Sequence, residues 1–156
     1  MGLLTPLAIT IGAQPWMPRF LPQVTWVDHR LQRATRGRIG VLDIAGLPNL
    51  MLTVPGRRSG IPRSTPLLCV PDGADWLIAG SYFGAPKPPL WAANLRACET
   101  ATVRSGGREH TVTWRELEGA DRERAWAVMR TTWPNFDKYA ERTDRVIPVF
   151  RLTPVD

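Results

Sequence analysis

Leu52-Thr53-Val54-Pro55-Gly56-Arg57-Arg58-Ser59-Gly60-Ile61-Pro62-Arg63 is a glycine-bracketed turn that carries three arginines between two short apolar runs. The runs, Leu50 to Val54 and Arg63 to Val70, have the composition of strands, so the turn makes a β-hairpin. Glycine permits positive φ and close approach of backbone to a ligand. Arginine offers a planar, permanently charged fork that suits phosphate or carboxylate, and the turn therefore reads as an anion clamp. A solvated basic turn is the competing reading of the same residues. A third strand, Asp75 to Gly80, follows the strong turn signal Pro71-Asp72-Gly73, and three strands in meander order begin an antiparallel sheet. In the middle strand Arg63, Thr65, Leu67 and Cys69 point one way, and Ser64, Pro66, Leu68 and Val70 the other. Pro62 and Pro66 have no amide to donate, which requires an edge or a bulge there and leaves the backbone within reach of a ligand.

Downstream, Ser81 to Pro86 is a loop, and Pro88 and Pro89 suit the first turn of a helix running to about Ala97. Lys87 stands beside that helix start, and Trp91 and Asn94 share one face. Trp91 reads equally as a core anchor. Thr100 to Arg104 and Glu109 to Leu117 form a hairpin around Ser105-Gly106-Gly107-Arg108, which completes a small barrel or half-barrel. Asp121 to Trp133 is an amphipathic helix with Ala125, Val128, Met129 and Thr132 inward, stopped by Pro134. Asn135 is placed to cap a second, short helix carrying Phe136, Tyr139 and Ala140 on one face. The aromatic set Trp133, Phe136 and Tyr139 is core or substrate wall by pattern. Val146 to Leu152 is the last strand.

Upstream, Gly2 to Ala13 is an apolar run interrupted by Pro6, shorter than the ~20 residues that span a bilayer. It lacks the positive start of a signal peptide, and Met1-Gly2 is not followed by the Ser or Thr of a myristoylation site. The expected location is cytoplasmic. Pro15, Pro18 and Pro22, interleaved with Trp16, Met17, Phe20 and Leu21, extend the run into an irregular arm that can lie on its own domain, on a partner subunit or on lipid. Gln23 to Arg36 has helical spacing, with Val24, Val27, Leu31 and Ala34 on a core face and Trp26, Arg30 and Arg33 on a basic one suited to an anionic headgroup layer. Gly37 to Pro48 reads as a loop. The organisation expected is an apolar arm over 1–22 and one domain over 23–156.

The chain has net charge +6, with 18 arginines and two lysines, which favours an anionic ligand or surface. The arginines are scattered and form no nucleic-acid-binding module, so no nucleic-acid partner is expected. Cys69 and Cys98 are too few for a disulfide framework, and with His29 and His110 they show no metal-ligand spacing, so no metal is expected either.

Taken in order, GRRSGIPR at 56–63, the strand Ser64 to Val70, Ala79-Gly80-Ser81, and Lys87-Pro88-Pro89-Leu90-Trp91-Ala92-Ala93-Asn94-Leu95 form a specific constellation. It continues in Trp133-Pro134-Asn135-Phe136-Asp137-Lys138-Tyr139 and Arg142-Thr143-Asp144-Arg145-Val146-Ile147-Pro148. The set resembles the deazaflavin (coenzyme F420)-dependent nitroreductase family over Leu52 to Val149. The resemblance implies an α+β, mainly β, fold: an FMN-binding-like split β-barrel of about six antiparallel strands with flanking helices. It also implies a bound F420 that in its reduced form delivers hydride to a small-molecule acceptor.

Carried onto this chain, the resemblance puts Arg57, Arg58, Ser59 and Arg63, with Lys87 nearby, on the phosphate and polyglutamate tail. Ser64, Thr65, Pro66, Leu67 and Leu68 would line the deazaflavin edge, and Ala79, Gly80, Ser81 and Tyr82 would approach the ring. Leu90, Trp91, Ala92, Ala93 and Asn94 would complete the pocket. Trp133, Phe136 and Tyr139 would wall the acceptor, with Phe136 over the ring, and Ser81, Tyr139 or water would supply a proton. Phe136 and Trp133 stand where such nitroreductases can carry tyrosines, and Leu68 replaces an aromatic, which shifts the expected acceptor from nitro compounds toward a quinone or activated alkene. The alternatives are an FMN-dependent relative and a non-catalytic barrel that binds a fatty acid or stores a cofactor. A fatty-acid carrier has no use for three arginines and a lysine.

Overall fold

The computed structural model describes residues 3–36 and 39–156; Met1 and Gly2, where the apolar run begins, and Gly37 and Arg38, where the expected loop begins, lie outside the described residues. The arginine turn joins β1 (Asn49–Pro55) to β2 (Pro62–Leu68) in a hairpin whose register runs from Asn49 opposite Leu68 to Pro55 opposite Pro62. The remaining strands are β3 (Val70–Asp72), β4 (Asp75–Ala79), β5 (Thr100–Ser105), β6 (Arg108–Glu116) and β7 (Val149–Pro154). All pair antiparallel in one seven-stranded sheet of order β2-β1-β5-β6-β7-β4-β3.

That order determines the shape. Laid flat, the two edge strands β2 and β3 would lie about 29 Å apart at ordinary strand spacing. Yet only Cys69 separates Leu68 from Val70. The sheet must therefore curl until its edges meet at that corner, which makes a half-barrel with its split between β2 and β3. The expected three-strand meander is present but bent, and the strand count is seven where six were expected. The first half of the middle strand pairs with β1 and the second half with β4; the Cys69 amide, bonded to Pro48 O at 3.1 Å, makes the last contact of the β1–β2 register before the chain turns to β4. The proline-bearing half is an edge strand, as its missing donors require.

Alternation along the strands feeds two cores. Leu50, Leu52 and Val54 of β1, with Leu67, Ile78, Val103, Phe150 and Leu152, fill the inside of the curl. The neighbouring residues Leu68, Val70, Leu77 and Val149 pack into a second core under α5 (Gly119–Thr132) and α6 (Asn135–Glu141). The helix α4 (Leu90–Arg96) closes the first core with Trp91, Ala92 and Leu95.

Several local expectations are corrected. The apolar run forms α1 (Thr5–Gly12), and a 3-10 turn at Met17–Phe20 leads into α2 (Leu21–Ala34). The supposed core face of α2 is not one: Val27 and Ala34 are exposed, Val24 and Leu31 half-buried, and Asp28 is buried instead. Its carboxylate accepts from the Val41 amide at 2.9 Å and Gln32 Nε2 at 2.6 Å, so capping of α3 (Val41–Ile44), a helix inside the expected loop, outweighs the apolar pattern. In α5, Ala125 and Met129 are buried but Val128 is exposed. In α6, Pro134 occupies the N-cap position, and the buried Asn135 side chain donates instead to Ile9 O at 2.6 Å.

Among the described residues no helix is long and apolar enough to cross a membrane. α1 docks on the domain: Thr5 Oγ1 donates to Ala45 O at 2.9 Å, Tyr139 Oη to Gly12 O at 3.2 Å, and the Arg142 guanidinium to Ala13 O.

Candidate functional site

The arginine turn is held by its own backbone. The Gly56 amide donates to Ile61 O at 2.9 Å and the Gly60 amide to Gly56 O at 2.8 Å, while Ser59 Oγ accepts from the Ile61 amide at 3.2 Å. A Cβ on Gly56 would fall 2.8 Å from Ser59 Oγ, so a larger residue there would push that hydroxyl off the Ile61 amide. Asn94, buried on α4, turns its Oδ1 to the Arg57 amide at 3.1 Å and to Arg57 Nη1 at 3.4 Å, which ties the helix to the turn. Arg57, Arg58, Ser59, Arg63 and Lys87 are exposed. The carboxylates that pair with arginine do so elsewhere, with Arg96, Arg104, Arg115, Arg124, Arg130 and Arg151. Among the described residues no carboxylate pairs with Arg57, Arg58, Arg63 or Lys87. Three exposed arginines on the turn and the exposed Lys87 before the start of α4 thus keep their charge unneutralised.

A second turn meets the other end of α4. The Gly80 amide donates to Pro148 O at 2.9 Å, and a Cβ on Gly80 would lie 2.8 Å from Pro148 Cγ and 3.6 Å from Pro89 Cγ. Gly80 is therefore wedged between the segment before β7 and the start of α4. Tyr82, Phe83 and Gly84 follow with φ of 43°, 55° and 77°, three left-handed residues in succession. The Arg145 guanidinium holds this turn by donating to Gly80 O at 3.0 Å, Ser81 O at 2.8 Å and Ala85 O at 2.9 Å. Burial pushes its pKa down. Ser81 is buried, and among the described residues its hydroxyl has no protein partner; Tyr82 is exposed.

Residues 25–154 match the family described as F420H2-dependent quinone reductase. The chain belongs to that family. An F420H2-dependent quinone reductase of Mycobacterium tuberculosis is 32% identical over 142 residues, which cover 88% of this chain and 95% of the relative. A solved structure of an F420H2-dependent reductase is 36% identical, with TM-score 0.63, and covers 67% of this chain and 93% of its own. Another, described as a domain-swapped dimer, is 32% identical with TM-score 0.65 and covers 82% and 97%. The protein is thus a split-barrel oxidoreductase of the class that uses reduced F420.

For an F420H2-dependent quinone reductase, the structure brings some of the sequence-selected residues together and removes others. The arginine turn, the strand Ser64–Leu68, the Ala79–Tyr82 turn and α4 form one continuous region, linked through Asn94 and Gly80. Ser64 is exposed and shares a 2.7 Å hydroxyl contact with Thr53; Thr65, Pro66, Leu67 and Leu68 are half-buried. On α4, Leu90 is exposed and Ala93 half-buried, but Trp91 and Ala92 belong to the core, with Trp91 edge-on to Phe150 at 5.7 Å.

The aromatic wall is corrected. Trp133, Phe136 and Tyr139 are only 6%, 3% and 3% exposed and lie in the second core. Phe136 packs between Trp126 and Tyr139, and α1 covers the rest. Tyr139 Oη donates to Gly12 O and accepts from Trp133 Nε1 at 3.2 Å, and burial raises its pKa, so its proton is committed to the protein. The trio adjoins the site from behind, through Phe83, 5.5 Å from the Tyr139 ring. Cys69 takes no part either, because burial pushes its thiol up to about 12. Two clefts of about 540 and 270 Å³ are present, the larger beside Asp28, Asp43, Met51 and Arg104 and touching the candidate site at Pro66, the smaller beside Asp72, Asp121 and Arg124. The arginine turn lines neither, consistent with an open groove. Arg145 was quoted in the sequence constellation without a role. Only its side chain's return to the Gly80 turn, some sixty positions back, makes it a site residue.

Proposed function

We propose that the groove from the arginine turn along β2 to the Gly80 turn holds F420, and that the protein reduces a quinone there. The carrying observation is the set of four cations with no carboxylate partner among the described residues, displayed on the rim of the same α4 that supports the Gly80 turn. The fit to F420 is chemical: a tail of phosphate and carboxylates calls for charge-assisted donors, and Arg57, Arg58, Arg63 and Lys87 supply them, with the Ser59 hydroxyl beside them. The half-buried edge strand Thr65, Pro66, Leu67 and Leu68 flanks the ring with its open backbone edge, and Ala79, Gly80, Ser81 and Tyr82 give it a polar edge. Reduced F420, when bound, supplies the hydride that the acceptor takes up. With the Tyr139 proton committed, Ser81 or water delivers the accompanying proton. Acceptor specificity falls to Tyr82, Phe83 and Leu90 at the groove's margin, since Trp133 and Phe136 are enclosed.

Fluorescence titration of the Arg63→Ala variant tests this reading. Loss of one charge-assisted contact costs about 1.5–3 kcal/mol, or ~10-fold or more in affinity. Unchanged affinity in Arg63→Ala and in Arg57→Ala would place the tail elsewhere.

The exposed side chains Leu3, just before α1, and Leu7, Trp16, Phe20 and Trp26, on α1, α2 and the segment between them, lie in one stretch of chain with the exposed Arg19, Arg30 and Arg33; Arg30 stacks on Trp26 at 4.6 Å. That composition supports peripheral binding of the N-terminal region to an anionic membrane surface, which would bring the enzyme to lipid-soluble quinones. Vesicles of anionic lipid should sediment the protein at low salt, and less so as salt screens the charges. A variant with Arg19, Arg30 and Arg33 all changed to Glu should stay in solution. If it pellets like the parent, the face is not a membrane contact.

A further inference from the structure

In a trans peptide the C=O and N–H point in opposite directions. The described residues contain no cis peptide, and Arg145 draws both the Gly80 and the Ser81 carbonyls to itself. The amides of the same two peptide units, those of Ser81 and Tyr82, therefore point away from the guanidinium. Neither has a backbone or side-chain acceptor among the described residues, and nor does the Phe83 amide, whose peptide carbonyl on Tyr82 is turned to the Ala85 amide and not to Arg145; the amides of Gly80, Gly84 and Ala85 are bonded. Two consecutive N–H groups are thus presented side by side, next to the unpartnered Ser81 hydroxyl. The turn that presents them has three successive left-handed residues, two of them aromatic, a conformation that persists only where surrounding contacts over-determine it. Its contacts include the Arg145 fork on three carbonyls, a 3.4 Å bond from Arg142 Nη1 to Phe83 O, the Phe83 ring against Tyr139, and the seating of Gly84 against α6.

We propose that Arg145 is the positioning residue of the ring end of the F420 site: its fork holds the Gly80–Ala85 turn so that the Ser81 and Tyr82 amides act as paired donors to the polar edge of the deazaflavin. The inference rests on the groove assigned under the proposed function and adds a residue that touches neither ring nor tail. No carboxylate pairs with Arg145 among the described residues, so its charge is met by peptide carbonyls alone. A cation on a carbonyl polarises that peptide and strengthens its N–H as a donor. Arg145 thereby both aims the two amides and makes them better donors. Lysine would retain the charge but not the planar fork that reaches three carbonyls at once.

The test compares two ligands on four proteins: the parent, Arg145→Met, Arg145→Lys and Arg63→Ala. One ligand is F420, the other its deazaflavin headgroup without phosphate or glutamates, and Kd is read by fluorescence beside the thermal midpoint of each protein. Arg145→Met should weaken both ligands by the same factor, about tenfold, the scale of one lost charge-assisted interaction. Arg145→Lys should fold and recover only part of that loss. Arg63→Ala should weaken F420 and leave the headgroup unchanged. At saturating reduced F420, Arg145→Lys should lower kcat for a menadione-type quinone with little change in the quinone KM, since orientation rather than acceptor binding is disturbed. If Arg145→Lys binds the headgroup as the parent does, or if both Arg145 variants only lower the midpoint with unchanged Kd, the positioning role is overturned. If Arg63→Ala leaves F420 binding intact while the Arg145 variants still lose the headgroup, it is the tail assignment that fails.

Discussion

Gly84 offers a direct test of how the cofactor turn is seated on α6. Its φ is +77°, and a Cβ there would lie 2.7 Å from Tyr139 O, 2.8 Å from Arg142 Cβ and 3.1 Å from Tyr139 Cα. None of these is the end of a flexible side chain, so no rotamer change relieves the contact. Gly73, in the turn between β3 and β4, has φ +63° and nothing within 4 Å of its added Cβ. Both alanine variants carry the left-handed cost of about 1–2 kcal/mol, but only Gly84→Ala adds overpacking of about 1–3 kcal/mol. Gly84→Ala should therefore lose about 2–5 kcal/mol in total. At roughly 2–4 °C per kcal/mol for a chain of this size, its midpoint should drop by ~4–20 °C, against ~2–8 °C for Gly73→Ala. Thermal unfolding followed by circular dichroism gives both numbers. F420 titration of the two variants should show weakened binding for Gly84→Ala alone, because only that turn is displaced from α6. Equal midpoints for the two variants would refute the close approach of the turn to α6, and with it the reason for placing the Ser81 and Tyr82 amides where they are.

Phe136 is enclosed, so Phe136→Ala should act first as a core truncation, losing about 3–5 kcal/mol in chemical denaturation; a stable variant with altered quinone turnover would return it to the substrate wall. The Glu116 carboxylate is held below its ordinary pKa by the Arg96 side chain, which donates from Nε at 2.8 Å and Nη2 at 2.6 Å. A depressed folded-state pKa contributes stability above the ordinary glutamate value and loses it as pH falls through the folded one. Both side chains are a third or more exposed, so the advantage of the parent over Glu116→Gln should be only about 1 kcal/mol near pH 7 and should shrink progressively as pH falls from the ordinary glutamate range through the lower folded value. A gap that is unchanged at pH 3.5 would show that the ion pair is not its source.

Residues adjacent in the chain carried most of what the sequence determined. The glycine-bracketed arginine turn, the strands on either side of it, the hairpin around Gly106-Gly107 and the helix after Pro88-Pro89 depend on local sterics and on periods of two or 3.6 residues, and they appear where expected. The constellation of turn, Gly80 segment and KPPLWAANL run likewise pointed to the F420-dependent class, because its order along the chain is itself sequence information. Burial and long-range partners were not legible in this way. An aromatic at helical spacing looks the same whether it faces ligand or core, and Trp133, Phe136 and Tyr139 became core only when α1, more than a hundred residues away in sequence, folded over them. The Cys69 bend that sends one strand to both edges of the sheet has no period to betray it. Arg145 was one arginine among eighteen until the fold brought its guanidinium to three carbonyls of the Gly80 turn. Local geometry is written in neighbouring residues, whereas which face is covered, and by what, is decided by contacts that exist only after the chain has closed on itself.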